Sequence, residues 1–128
     1  DALYAGSGVR SSVDPAMDYL ERKICFLAEF LGGEAQTDGG YPSWEYKEDS
    51  PLRNLMAQIY EEQYRVQPKI QAIHAGLECG VFYQAIPGLD CVSIGPDMKD
   101  IHTPEERLSI SSTKRVFDYL LEVLRRLD

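Results

Sequence analysis

The chain has 128 residues, 44% of them hydrophobic and 27% charged, a composition that fits one globular domain or pieces of two. A formal net charge of −8 and a pI near 4.7 exclude nucleic acid and anionic membrane surfaces as partners, because phosphate binding needs a basic face. No apolar run approaches the ~20 residues that span a bilayer, and no signal-peptide pattern opens the sequence. The chain starts at Asp1 without a methionine, so a fragment of a longer protein is expected. Cys25, Cys79 and Cys91 are odd in number and widely spaced. They form neither a disulfide framework nor a thiolate metal cluster, and reduced thiols in the cytoplasm are the reading.

In chain order, Gly8 to Val13 is β-permissive and reads as a strand. Asp14-Pro15 is a helix start, with Asp as cap and Pro at the first helical position. Met17, Leu20, Ile24, Leu27, Ala28 and Leu31 follow at spacings of three and four, one apolar stripe at helical period. Gly32-Gly33 ends the helix, and Glu34 to Thr37 reads as a return strand, giving a β-α-β unit. Asp38 to Pro51 is rich in turn formers and reads as a boundary between two structural units. A second helix starts at Ser50-Pro51, with Leu52, Leu55, Met56, Ile59 and Tyr60 as its inner stripe, and ends near Arg65.

Lys69 to Ala75 is a strand candidate, Gly76 to Tyr83 a short helix, and Leu89 to Gly95 a continuous apolar strand of the buried parallel type. Pro96 to Pro104 reads as a loop and Arg107 to Ile110 as a brief extended piece. The last helix opens at Ser111 and presents Val116, Phe117, Leu120, Leu121, Leu124 and Leu127. Strands alternating with helices give an α/β class with a largely parallel sheet.

Both histidines sit at predicted strand ends, where chemistry collects in α/β proteins. His102 lies in an H-x-P-x-E pattern with Pro104 and Glu106. Pro fixes the backbone beyond the imidazole, and Glu106 is placed to orient the ring or cap the local backbone, as a partner of a metal-bound His would. A solvated loop His is the plain alternative. His74 leads into Ala75-Gly76-Leu77-Glu78-Cys79-Gly80. Small residues there allow close backbone approach to a ligand, and the helix start offers N–H groups to an anion. A core-facing His, with Glu78 merely complementing the helix dipole, is the alternative. Arg10 suits a bidentate grip on a carboxylate, or is a solvated strand Arg. The adjacent Glu105 and Glu106 point different ways and make a poor acid–base dyad. There is no H-E-x-x-H, Walker loop, G-x-S-x-G or G-x-G-x-x-G. A zinc hydrolase needs three or four protein donors, so no complete active site of a recognisable type is present.

Taken together, GGYPSW (Gly39 to Trp44), the Ser50-Pro51 helix start, IHAGLECG (Ile73 to Gly80), SIGP (Ser93 to Pro96) and HTPEERLSI (His102 to Ile110) resemble the C-terminal part of aminoacyl-histidine dipeptidases. These belong to the di-zinc family of carnosinases, aminoacylase and tripeptidase T. The resemblance runs in order over essentially the whole chain. It implies an α/β zinc-peptidase domain, a mixed sheet with flanking helices, into which a lid of β-α-β units is inserted. Residues 1–43 would be the end of the lid and dimerisation domain, and residues 44–128 the C-terminal part of the catalytic domain.

The resemblance also implies a cytoplasmic, homodimeric hydrolase of Xaa-His dipeptides. It would use two zinc ions, or other divalent metals, to activate a water. It makes His102 a metal ligand with Glu106 behind it. Arg10 becomes a lid residue holding the substrate carboxylate, and the turn with His74, Gly76 and Glu78 becomes cleft wall. The remaining ligands and the general base would lie outside these residues, so the chain alone is expected to be inactive and to self-associate or rearrange. A non-catalytic interaction or regulatory module on the same scaffold is the alternative.

Overall fold

A computed structural model describes residues 3–73 and 78–127. The elements are α1 (Asp14–Phe30), α2 (Pro51–Tyr64), α3 (Glu78–Ala85), β1 (Met98–Lys99), β2 (Arg107–Leu108) and α4 (Ile110–Arg125). The chain forms two units, Asp1–Glu48 with Gln71–Leu89, and Asp49–Ile70 with Asp90–Asp128.

In the first unit α1 begins one residue earlier than a cap at Asp14 would require. Val13 is the extended N-cap residue, and Asp14 is already helical. The Asp14 carboxylate instead accepts the Ser43 N–H at 3.0 Å. α1 ends at Phe30 with Leu31 as its C-cap, and Gly32 follows at a φ of +83°. α3 approaches the same segment so closely that a Cβ on Gly80 would sit 2.6 Å from the Pro42 carbonyl oxygen. The small residue at position 80 therefore serves helix–backbone packing. The apolar stripe of α1 is not core. Leu20, Ile24, Leu27 and Leu31 are all exposed, and no residue of the helix is buried. An amphipathic face is buried only where another element covers it, and among the described residues none does.

The second unit is built on α2 and α4. Ser50 caps α2 by accepting the Arg53 N–H at 3.1 Å, and Pro51 takes the first turn. Asp90 secures the same end. It accepts the Ser50 hydroxyl at 2.7 Å and the Leu52 N–H at 2.9 Å. This ties the segment after residue 89 to the start of α2. The stripe read from the sequence holds here. Met56 and Ile59 are buried, with Leu52, Leu55 and Tyr60 packed around them.

α4 meets α2 with a face the sequence reading did not select. Ser112, Tyr119 and Val123 are buried, whereas Phe117, Leu120, Leu121, Leu124 and Leu127 are exposed. The apolar face of the helix is a single broad arc, wider than its contact with α2, and periodicity alone does not say which edge of it packs. Tyr119 is chosen because its ring fills the contact with Met56 and Ile59 while its hydroxyl donates to the Met56 carbonyl at 2.6 Å. Burial pushes the Tyr119 phenol above its ordinary range.

The segments expected as strands at 8–13, 34–37 and 89–95 are not strands, nor are residues 69–73 of the one expected at 69–75, whose last two residues lie outside the described residues. The ladder among the described residues is the antiparallel pair β1–β2, with Met98 opposite Leu108 and Lys99 opposite Arg107. It opens inside the span read as a loop. Apolar content marks a chain fit for a sheet, but a strand exists only where a neighbour takes its N–H and C=O groups. Of the described residues, none offers that neighbour to these segments.

Two outcomes follow from this core. Ile59 is fully buried, so Ile59→Ala should cost about 2–5 kcal/mol, while Leu124→Ala on the exposed face stays within about 0.5 kcal/mol; urea unfolding of both variants checks the contrast. The second concerns acid. The Gln58 amide and then the Arg126 guanidinium hold Glu62 below the usual carboxylate range. Arg126 and then Arg125 do the same for Glu122. Folded-state values lying below unfolded ones give stability that is present above the ordinary carboxylate range and lost as pH falls through the depressed values. Arg126→Ala should therefore flatten the loss of stability on acidification below that range, as read from denaturation midpoints across the acid range.

Candidate functional site

His102 stands on the seven-residue connection of the β1–β2 hairpin. Two turns build it. The Thr103 N–H donates to the Asp100 carbonyl at 3.2 Å, and the Glu106 N–H to the Thr103 carbonyl at 3.1 Å. Pro104 occupies the second position of the latter turn, where its fixed φ is favourable. The Thr103 hydroxyl donates to the Asp100 carbonyl at 2.7 Å and accepts the Glu105 N–H at 3.2 Å. One threonine thus joins both turns.

Two residues of this loop are left-handed, Asp100 at a φ of +54° and His102 at +66°. Asp and His tolerate that region better than most side chains, yet each such residue still costs on the order of 1 kcal/mol or more. Local bonds hold them there. The Glu106 carboxylate accepts the His102 N–H at 2.8 Å. Of the two uses the sequence allowed Glu106, the structure has the backbone cap. The Asp100 carboxylate pairs with the Arg107 guanidinium at 2.5 Å across the mouth of the loop.

The hairpin is fixed at its base to the start of α4. The Ser109 N–H donates to the Asp97 carbonyl at 3.0 Å, and the Asp97 N–H donates to the buried Ser112 hydroxyl at 2.8 Å. Ser112 donates in turn to the Ser109 carbonyl at 3.0 Å. Ser109 caps α4 by accepting the Ser112 N–H, and α4 opens at Ile110, one residue before the expected start. The Arg115 guanidinium reaches the Asp97 carboxylate at 3.2 Å. Residues 101–108 are all exposed. Asp100, Thr103, Pro104, Glu105, Glu106 and Arg107 line an open depression rather than an enclosed cleft.

The other sequence-derived candidates fall elsewhere. Arg10 is exposed and outside regular structure, and Glu78 is exposed as the first residue of α3, where it complements the helix dipole. Both belong to the first unit, and His102 and Glu106 to the second. His74 and Gly76 lie outside the described residues. Sequence reasoning missed Asp97, Asp100, Thr103, Arg107 and Ser112, which frame the His102 loop. The Thr103-Pro104 turn was available as a signal; the pairing of Asp100 with Arg107, seven residues apart, has no local periodicity to reveal it.

Among the described residues, no three His, Cys, Asp or Glu side chains converge where a metal ion would sit. The Glu106 carboxylate is engaged by backbone and that of Asp100 by a guanidinium. These residues do not make a metal centre by themselves, and His102 offers one donor where zinc takes three or four. Nor is any helix of the described residues long and apolar enough to cross a membrane.

Comparison with known proteins adds the relationship. The model of peptidase family M20/M25/M40 matches residues 16–126. The chain is 35% identical over 119 residues to the cytosol non-specific dipeptidase of Escherichia coli, covering 93% of this chain and 24% of that protein. The crystal structure of aminoacylhistidine dipeptidase from Vibrio alginolyticus superposes with a TM-score of 0.76 at 33% identity, over 92% of this chain and 24% of that one. The chain therefore spans about a quarter of the length of the relatives it matches, and its fold is that of the corresponding stretch of such dipeptidases. With the match running from α1 to the end of α4, the chain belongs to peptidase family M20/M25/M40.

Proposed function

We propose that the chain is part of a zinc-dependent dipeptidase that hydrolyses Xaa-His dipeptides in the cytoplasm. The observation that carries this reading is the His102 loop. An exposed imidazole is borne on a left-handed residue, the backbone N–H of that residue is held by Glu106, and the loop is anchored through Asp97 and Ser112 to α4. Backbone held in a sparsely populated region by its surroundings is the kind of strain that collects at functional sites. His102 serves as one donor to the metal pair, and Glu106 acts behind it by fixing its backbone. The other donors and the general base come from parts of the enzyme beyond these residues, so the chain alone has no catalytic centre.

The Xaa-His preference rests on likeness to the aminoacylhistidine dipeptidase; the relative from Escherichia coli carries a broader name. In this reading residues 1–43 are the end of a lid and dimerisation domain, and residues 44–128 the C-terminal part of the catalytic domain. Arg10 holds the substrate carboxylate, and His74, Gly76 and Glu78 line the cleft. The exposed apolar residues of α1 supply a surface for a homodimer.

The reading is tested in a full-length dipeptidase carrying this segment. His102→Ala is expected to lower dipeptidase activity at least roughly 100-fold and to reduce retained zinc, a larger effect than loss of a supporting residue. Unchanged activity with zinc still bound would remove His102 from the metal site.

A further inference from the structure

We infer that Asp100 and Arg107 are a positioning pair that sets where the His102 imidazole stands. The inference rests on the reading of His102 as a metal donor. The pair closes the loop at its mouth: Asp100 is the first residue after β1, and Arg107 the first residue of β2. Arg107 is held in register opposite Lys99, so its guanidinium acts from a fixed strand. Asp100 is left-handed, and its carbonyl accepts both the N–H and the hydroxyl of Thr103. Its carboxylate, paired with Arg107, ties the first turn to β2.

His102 is the third residue of that turn, and any tilt of Asp100 is passed to it through a single peptide unit on either side of Ile101. Glu106 fixes the His102 backbone from the other end of the loop. Asp100 with Arg107, and Glu106, thus hold the histidine from its two sides.

The Arg107 and Asp100 side chains are 70% and 46% exposed, and an exposed pair adds little to the stability of a fold. Its contribution is geometric. That separates it from the Asp97–Ser112 bond below, which anchors the whole hairpin. Position 100 also needs a residue at ease in the left-handed region. Asn retains that conformational tolerance while losing the charge.

The test uses the chain labelled for NMR, without metal. In Asp100→Asn and in Arg107→Gln, the His102 amide and imidazole resonances should move and the His102 N–H should exchange faster with solvent. Urea midpoints and α4 resonances should stay at their wild-type values. Arg107→Lys, which keeps a cation on β2, should restore the His102 resonances in part. If Asp100→Asn unfolds the chain, Arg107→Gln decides, since it leaves residue 100 untouched. His102 resonances unmoved in a folded Arg107→Gln variant overturn the inference. Because this readout is independent of metal, its failure is distinct from that of the metal-donor reading, which would show as undiminished zinc retention in His102→Ala of the full-length enzyme. In that enzyme Asp100→Asn should weaken zinc binding about tenfold, as loss of a supporting partner does.

Discussion

The hydroxyl of Ser112 is the point through which α4 holds the His102 loop. It is buried in the first turn of α4, accepts the N–H of Asp97 and donates to the carbonyl of Ser109. Above it stands the β1–β2 hairpin, with His102 at its turn. Below it α4 rests on α2 through Tyr119, Val123, Met56 and Ile59, and α2 is anchored at its own start by Asp90. A loop is only as well placed as the element that carries it. Here a buried hydrogen bond, worth little in net stability but costly to leave unsatisfied, transfers the rigidity of a helix pair to an exposed histidine.

That arrangement explains how an exposed loop holds two left-handed residues. Asp100 and His102 are each kept in place by nearby side chains, Thr103 and Glu106 of the loop and Arg107 of β2. The order is local and does not depend on burial. For the metal-donor role proposed for His102, placement before the metal arrives would spare binding the ordering cost, and the bonds that place it are already made. Away from the loop, the economy is reversed. The outer face of α4 and the stripe of α1 are apolar and exposed, in a chain that spans about a quarter of the length of the relatives it matches.

The helices were legible in the sequence because their signals are local. Ser50-Pro51 at the start of α2, the glycines after α1 and the inner stripe of α2 stand where the spacing put them. The strands were not, since pairing depends on a neighbour that composition does not name. α4 shows the limit of periodicity most clearly. Its apolar arc is wider than the contact with α2, and the core took the edge where a tyrosine combines ring packing with a hydrogen bond to Met56. At the site, the H-x-P-x-E pattern pointed to His102 and Glu106 as partners, and the structure brings them together through the His102 backbone. The acidic and basic residues that frame the loop were invisible, because each looked like one more surface charge.

The central claim is that these 128 residues hold one wall of a dipeptidase site and not a working centre. Incubation of the purified chain with an Xaa-His dipeptide, with and without added zinc, tests it most directly. The account predicts no hydrolysis above that given by zinc ions alone. Turnover by the chain that a chelator abolishes and zinc restores would contradict it.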